Sequence, residues 1–275
     1  LPLRAPHGAS EASPSGGTHE DGLRHRSAMA KRPSRIRLYT FESVSENAPR
    51  AESLFGDGEA LVWNLARKQG APPESVRIIE GRWPQEKAVR LDQACFAGPA
   101  FEIRDKSFTV AAWLQFNGPG AHRGNNDSTN GTLLSAGNGY WEGWRLTMTY
   151  PERAIGFEIG RPKPSNSIGV RTDPVVDKVW HHLAATWNGR EMRVYIDGLL
   201  AARREYTGDY TPPSNGQFRV GYAGSGFGSV VLDVEEVAVY DRALSSSEIL
   251  RDAHFHAPLS DDLAKQLQSA GNAFE

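Results

Sequence analysis

The sequence predicts an all-β sandwich of two antiparallel sheets, on three observations. The stretch Trp180 to Gly198, WHHLAATWNGREMRVYIDG, holds two alternating apolar runs joined by Asn188-Gly189. Alternation marks strands with one buried face, and Asn-Gly supplies the positive φ angles of a tight turn, so the segment reads as a β-hairpin. From Phe101 onward, short alternating runs are divided by Gly, Asn and Pro clusters rather than by helical patterns. That spacing belongs to a sandwich and not to alternating β and α units. Third, 275 residues with 39% apolar content are enough to close one large core without covalent staples.

Along the chain, residues 1–34 are rich in Gly, Ser, Pro, His and Arg and show no hydrophobic period. Such a segment cannot bury enough surface to offset the entropy of ordering, so it is expected to be a disordered, dispensable linker. The first residue is Leu1 rather than Met, which points to excision from a longer protein, with any signal or anchor upstream. Ordered structure is expected to start at Ile36–Phe41, where Ile36, Leu38 and Thr40 share one face and Arg37, Tyr39 and Phe41 the other. Glu59–Gln69 has a helical option, because Leu61, Leu65 and Lys68 follow helical spacing. Val76–Gly81 and Ala88–Leu91 read as strands around a turn at Arg82-Trp83-Pro84, since the residue before a proline avoids the helical region.

Eight further strands are expected: FTVAAWLQF, GTLLSAG, GWRLTMTY, AIGFEIG, WHHLAATW, MRVYIDG, FRVGYA and VVLDVEEVAVY. The Asn-rich loop 117–130 and the Pro-rich turn 161–167 interrupt them, and a second hairpin turn falls at Asp197-Gly198. After Asp241, ALSSSEILRD carries serines before an acidic residue and then Ile-Leu, the pattern of a capped helical turn with Ser245 as the cap. The expected division is a linker over 1–34, a sandwich over 35–252 and a tail over 253–275 with a short helix around Leu259–Leu267.

Bulk properties exclude several functions. A net charge of −2 lacks the concentrated positive field that polyanion binding needs, so nucleic acid is not expected as a partner. No run approaches the ~18 apolar residues of a membrane span. The single cysteine, Cys95, sits in VRLDQACFAG as a small apolar residue and reads as a core thiol. No HExxH, phosphate-binding glycine loop or Ser-His-Asp pattern is present.

The ordered set LYTFE, FTVAAWLQF, TLLSAG, GWRLTM, WHHLAATWNG, MRVYIDGLLAA, FRVGYA and LDVEEVAVYDRALSSSEI resembles the LamG-like jelly-roll domain of the concanavalin A-like lectin/glucanase superfamily, over about residues 36–252. The resemblance implies a jelly-roll sandwich acting outside the cytoplasm (secreted, periplasmic or at the cell surface) as part of a larger exported bacterial protein. It also implies calcium as the compatible cofactor, with Asp233, Asp92 and Glu42 as metal-ligand candidates, a hard ion being suited to carboxylates and carbonyls. Glu42 stands where relatives often carry Asp.

Fold does not select function, because lectins, glycosidases, lyases and adhesion modules share this sandwich. Leu232-Asp233-Val234-Glu235-Glu236 is the most enzyme-like string: Asp233 and Glu235 share a strand face about 6.6 Å apart. It is similar to a fragment of the E-x-D-x-E strand of family-sixteen glycoside hydrolases, but Val231 replaces the first glutamate. No catalytic residue is therefore assigned. His181 and His182 adjoin on one strand, point to opposite faces and cannot chelate one metal; one is expected to pack and the other to be exposed. A tryptophan face can stack on a sugar ring, and Tyr140, Trp141 and Trp144 are the ligand-binding candidates, whereas Trp113 and Trp187 read as core. Three functions stay open: a non-catalytic module recognising a glycan or a protein surface, a hydrolase or lyase of the same fold, and a structural spacer.

Overall fold

The computed structural model describes residues 18–30, 34–44, 50–51, 53–55, 61–64, 76–99, 107–120, 130–137, 141–164, 167–213, 217–221 and 228–254. Helix α1 spans His19–Ala30, followed by β1 (Arg35–Thr40), β2 (Arg50–Ala51), β3 (Ser53–Phe55), β4 (Leu61–Asn64), β5 (Val76–Glu80) and β6 (Lys87–Leu91). Next come β7 (Cys95–Pro99), β8 (Phe108–Pro119), β9 (Gly131–Ala136), β10 (Trp144–Thr149), β11 (Ala154–Ile159) and β12 (Ile168–Pro174). The chain continues through β13 (Trp180–Trp187), β14 (Glu191–Ile196), β15 (Leu199–Glu205), β16 (Gln217–Gly221), β17 (Val230–Tyr240) and α2 (Ser246–Ala253).

These strands form two antiparallel sheets. The first runs β15-β14-β13-β8-β17, after which the long β17 is flanked on its other edge by β1, leading to β3, and by β6, leading to β5. The second runs β12-β11-β10-β9-β16-β7-β4-β2. Alternate residues of both sheets meet between them: Val110, Ala112, Leu114 and Phe116 of β8 and Leu183, Ala185 and Trp187 of β13 share one core with Trp144, Leu146 and Met148 of β10 and Ile155, Phe157 and Ile159 of β11. Tyr39 and Phe41 join it from the first strand, as their alternation predicts.

Although its edge strand β15 is exposed, the central part of the first sheet's outer face is also buried. Leu38, Ala111, Ala184, Tyr195, Ala238 and Tyr240 pack there against Leu244 and Ile249 at and before α2. A capping box on Ser245 and Glu248 starts that helix where the sequence places it. The turn between β5 and β6 covers another part of this face, with the Arg82 guanidinium 3.6 Å from the centre of the Trp113 ring. Trp113 is thus buried on the outside of its sheet, whereas Trp187 is in the main core.

Several expectations need correction. Leu61–Asn64 is a strand paired with β7, not part of a helix; a neighbour supplied by the fold overrides local spacing. The rest of that segment lies outside the described residues. Within the expected linker, residues 1–17 and 31–33 lie outside the described residues, and His19–Ala30 is helical, with the Thr18 and Asp21 side chains capping its start, Arg24 paired with Glu20 at 2.7 Å and His19 Nδ1 4.0 Å from Glu86 Oε1. The absence of a hydrophobic period excludes a packed helix better than it excludes a polar one. Both histidines of β13 are buried, since covering of the sheet's outer face leaves neither side in water. At Asn188-Gly189 only Gly189 has positive φ, 86°. Asn188 instead caps a longer turn with its side chain, accepting from the backbone N–H groups of Arg190 at 2.9 Å and Glu191 at 2.7 Å. The second turn takes positive φ at both Asp197 and Gly198. The expected tail helix at 259–267 lies outside the described residues.

Candidate functional site

The second sheet carries its polar side chains outward and holds a cavity of about 390 Å³ on that face. Register explains the lining. One cross-strand row runs Gly169, Glu158, Arg145, Ser135, Arg219, and a second runs Arg171, Gly156, Thr147, Thr132. Strand alternation sends the members of each row to the face opposite Trp144, Leu146, Ile155 and Phe157. Asn130, Arg145, Gly156, Glu158, Ser167 and Arg171 line the cavity together with Gly169 and Val170. Gly156 keeps it open, because a β-carbon there would stand 2.7 Å from Thr147 Oγ1.

The floor is a charged network. Arg145, buried apart from 4% of its surface, donates to Glu158 Oε2 from Nε at 3.1 Å and Nη2 at 2.6 Å. Ser167 donates to the same oxygen at 2.9 Å. Arg171 projects from the edge strand β12 and is exposed, with no hydrogen bond or ion pair among the described residues. Trp141 precedes β10 and Lys163 follows β11, and neither lines the cavity. Lys163 Nζ sits 4.6 Å from the Trp141 ring centre.

The sequence-predicted residues are distributed unevenly. Trp141, in the loop before β10, has 43% of its surface exposed and is not one of the residues that line the cavity. Trp144 is fully buried, stacked with Phe108 at 5.7 Å, so its ring offers no face to a ligand. Tyr140 lies outside the described residues. Asp233 is fully buried and gripped by Arg90 through two bonds of 2.6 and 2.7 Å. Glu42 accepts from the backbone N–H of Lys87 at 2.8 Å. Asp92 stands beside Gly120 and Ser229, and its Oδ1 is buried without a hydrogen-bond partner among the described residues. No three acidic, histidine or cysteine side chains converge on a metal position among the described residues. Asp233, Asp92 and Glu42 therefore do not form one cation cage there.

The enzyme-like string is likewise engaged. Glu235 accepts from the backbone N–H of Arg82 at 2.6 Å and from its Nε at 3.3 Å. Burial holds its carboxyl above the usual carboxylate range, although Arg82 pulls the other way. A bulge at Val234/Glu236 accompanies this arrangement. Asp233 and Glu235 of β17 thus fasten the β5–β6 hairpin through Arg90 and Arg82.

Sequence reasoning missed Arg145, Glu158, Ser167 and Arg171. Alternation in WRLTMT and AIGFEI does place Arg145 and Glu158 on polar faces. Their meeting depends on the register of β10 with β11, which no local pattern encodes.

Residues 92–250, more than half of the chain, match the Laminin_G_3 family, described as the concanavalin A-like lectin/glucanases superfamily. No curated protein matches the chain by sequence. Among solved structures, the binding domain of botulinum neurotoxin DC in complex with SialylT is similar with a TM-score of 0.59 at 11% identity, over 82% of this chain and 52% of that one. The binding domain of paraclostridial mosquitocidal protein 1 is similar with a TM-score of 0.58 at 15% identity, over 81% of this chain and 52% of that one. A botulinum neurotoxin DC binding domain in complex with rat synaptotagmin II aligns with a TM-score of 0.57 at 11% identity, over 82% and 52%. The chain spans about half the length of these structures, and at such identities the likeness is one of fold. With the family match covering the sandwich from Asp92 to Leu250, the chain belongs to the concanavalin A-like lectin/glucanases superfamily.

Proposed function

We propose that this chain is a non-catalytic recognition module that binds a glycan in the cavity on the outer face of the second sheet, within a larger exported protein. The observation that carries the reading is the cavity itself, of about 390 Å³ and lined by charged and polar groups. Its size falls within the range of small-ligand sites, and fixed side-chain and backbone groups suit the hydroxyls of a sugar. Trp141, in the loop before β10, adds a partly exposed aromatic surface near the same end of the sheet. Similar folds among the toxin binding domains support recognition as a use of this scaffold, one solved with SialylT and another with synaptotagmin II. The non-catalytic part rests on the acids. Glycoside hydrolysis needs two carboxylates across the scissile bond. Among the described lining residues Glu158 is the one carboxylate, and Arg145 and Ser167 hold it.

A glycan array followed by calorimetry on the full chain tests this. Binding should be abolished by Ser167→Trp, which fills the cavity, and weakened several-fold by Trp141→Ala, with melting temperatures close to that of the parent. Binding that survives Ser167→Trp places the ligand elsewhere. Sustained release of reducing ends, lost in Glu158→Gln or Glu235→Gln, replaces the binding reading with a hydrolase.

A further inference from the structure

We infer that the glycan taken by this cavity is anionic, bearing a carboxylate or sulfate that Arg171 holds. This deepens, and rests on, the reading of the cavity as a glycan site. The charges on the strip do not cancel. Nε and Nη2 of Arg145 are both directed at Glu158, so that pair is close to neutral as seen from outside. Arg171 is left over, exposed and without a partner among the described residues, opposite Gly156 in the strand register. Because Gly156 has no side chain, nothing from that position fills the space beside the Arg171 guanidinium.

Two more cations stand outside the lining. Arg204, which does not itself line the cavity, donates from Nη1 to the carbonyl of Gly169, one of its lining residues, at 2.8 Å. Arg219 occupies the same cross-strand row as Arg145, beyond Ser135, and donates to Gln217 Oε1 at 3.1 Å. Asp173, two residues beyond Arg171 on the same face of β12, is an opposing charge that, like Arg204 and Arg219, does not line the cavity, so Arg171 is the charge within the lining that Glu158 does not engage. An exposed guanidinium with its donors open matches the planar oxygens of a carboxylate or the oxygens of a sulfate, and charge-assisted bonds are the stronger class. Net charge of the whole chain concealed this, since a sum of −2 is compatible with a local cationic strip.

The test is calorimetry of the full chain with three tetrasaccharides of matched length: oligogalacturonate, a sulfated galactan fragment and a neutral β-galactan fragment, each at low and moderate salt. One anionic sugar should bind at least tenfold more tightly than the neutral one, and salt should narrow the gap. Arg171→Gln should cost that sugar about tenfold and leave the neutral one unchanged, with Arg171→Lys intermediate. Which anionic sugar wins identifies carboxylate or sulfate as the group held. Equal binding of neutral and anionic sugars, blocked by Ser167→Trp and indifferent to Arg171→Gln, overturns the charge inference and leaves the glycan site standing. Absence of binding by all three at millimolar concentration also overturns it, and the array with Ser167→Trp then judges the site separately.

Discussion

His181 is the residue with the clearest pH consequence. Burial lowers its basicity, but Asp197 Oδ2 at 2.7 Å from Nδ1 and the Val176 carbonyl at 3.0 Å from Nε2 favour the doubly protonated ring, and the net shift is upward from 6.5. A raised value means that the folded state holds the proton more tightly than the unfolded chain. The contribution is therefore complete below pH about 6.5 and is lost as pH climbs through the folded value. Melting temperature should fall between pH 6 and 8.5, and His181→Gln should flatten that slope; an unchanged slope in the variant removes the assignment. A second residue-scale expectation separates two acids. Asp233→Ala strips the buried partner from a half-exposed Arg90, and should cost about 2–3 kcal/mol in urea unfolding whether or not calcium is present. Any calcium stabilisation is instead expected to run through Asp92, whose Oδ1 lacks a partner among the described residues, and to vanish in Asp92→Ala. Identical melting curves with calcium and with chelator dismiss the cation.

The two hairpin turns around β14 contain glycines of similar φ, 86° at Gly189 and 84° at Gly198, in different surroundings. A β-carbon at Gly189 meets no atom within 4 Å, whereas one at Gly198 would stand 2.6 Å from Leu250 Cδ1 and 2.9 Å from Leu250 Cα. Gly189→Ala should therefore cost about 1 kcal/mol, the price of positive φ alone. Gly198→Ala should cost about 2–4 kcal/mol, because it also displaces α2 from the turn. Chemical denaturation of the pair measures the difference, and equal losses would show that Leu250 yields freely. The alternation of β13 and β14 and the Ser-x-x-Glu cap of α2 were legible because each is a local pattern. The strand at Leu61–Asn64 was not, since its partner β7 lies more than 30 residues along the chain.

Across the whole molecule, the two sheets use their outer faces differently. The first is covered by α2 and by the β5–β6 turn, which accounts for the nearly continuous burial of β8 and for the engagement of Asp233 and Glu235. The second carries polar side chains on its outer face, with Thr132, Ser135, Arg145 and Thr147 buried, and a cavity beside them. Acids that look catalytic in sequence thus serve as fasteners on the first sheet, and neither of them lines the cavity of the second. Trp141, in a Gly-rich loop, is exposed, whereas Trp144 faces the core from its strand. Indole at an inward position of β10 packs against Phe108 rather than meeting solvent.

By itself the sequence determined what depends on neighbours along the chain: the strand periods, both hairpins, the capped helix, the inward residues and the superfamily they resemble. The tertiary structure decided which strands are neighbours, which face of each sheet is covered, and which side chains meet across it. Arg145 reaches Glu158 because β10 and β11 align Thr147 with Gly156, and Arg90 reaches Asp233 because β6 pairs with β17. Strand alternation is a two-residue property, whereas such pairings join positions up to 205 residues apart, as Arg35 with Tyr240, and follow from how two sheets close one core.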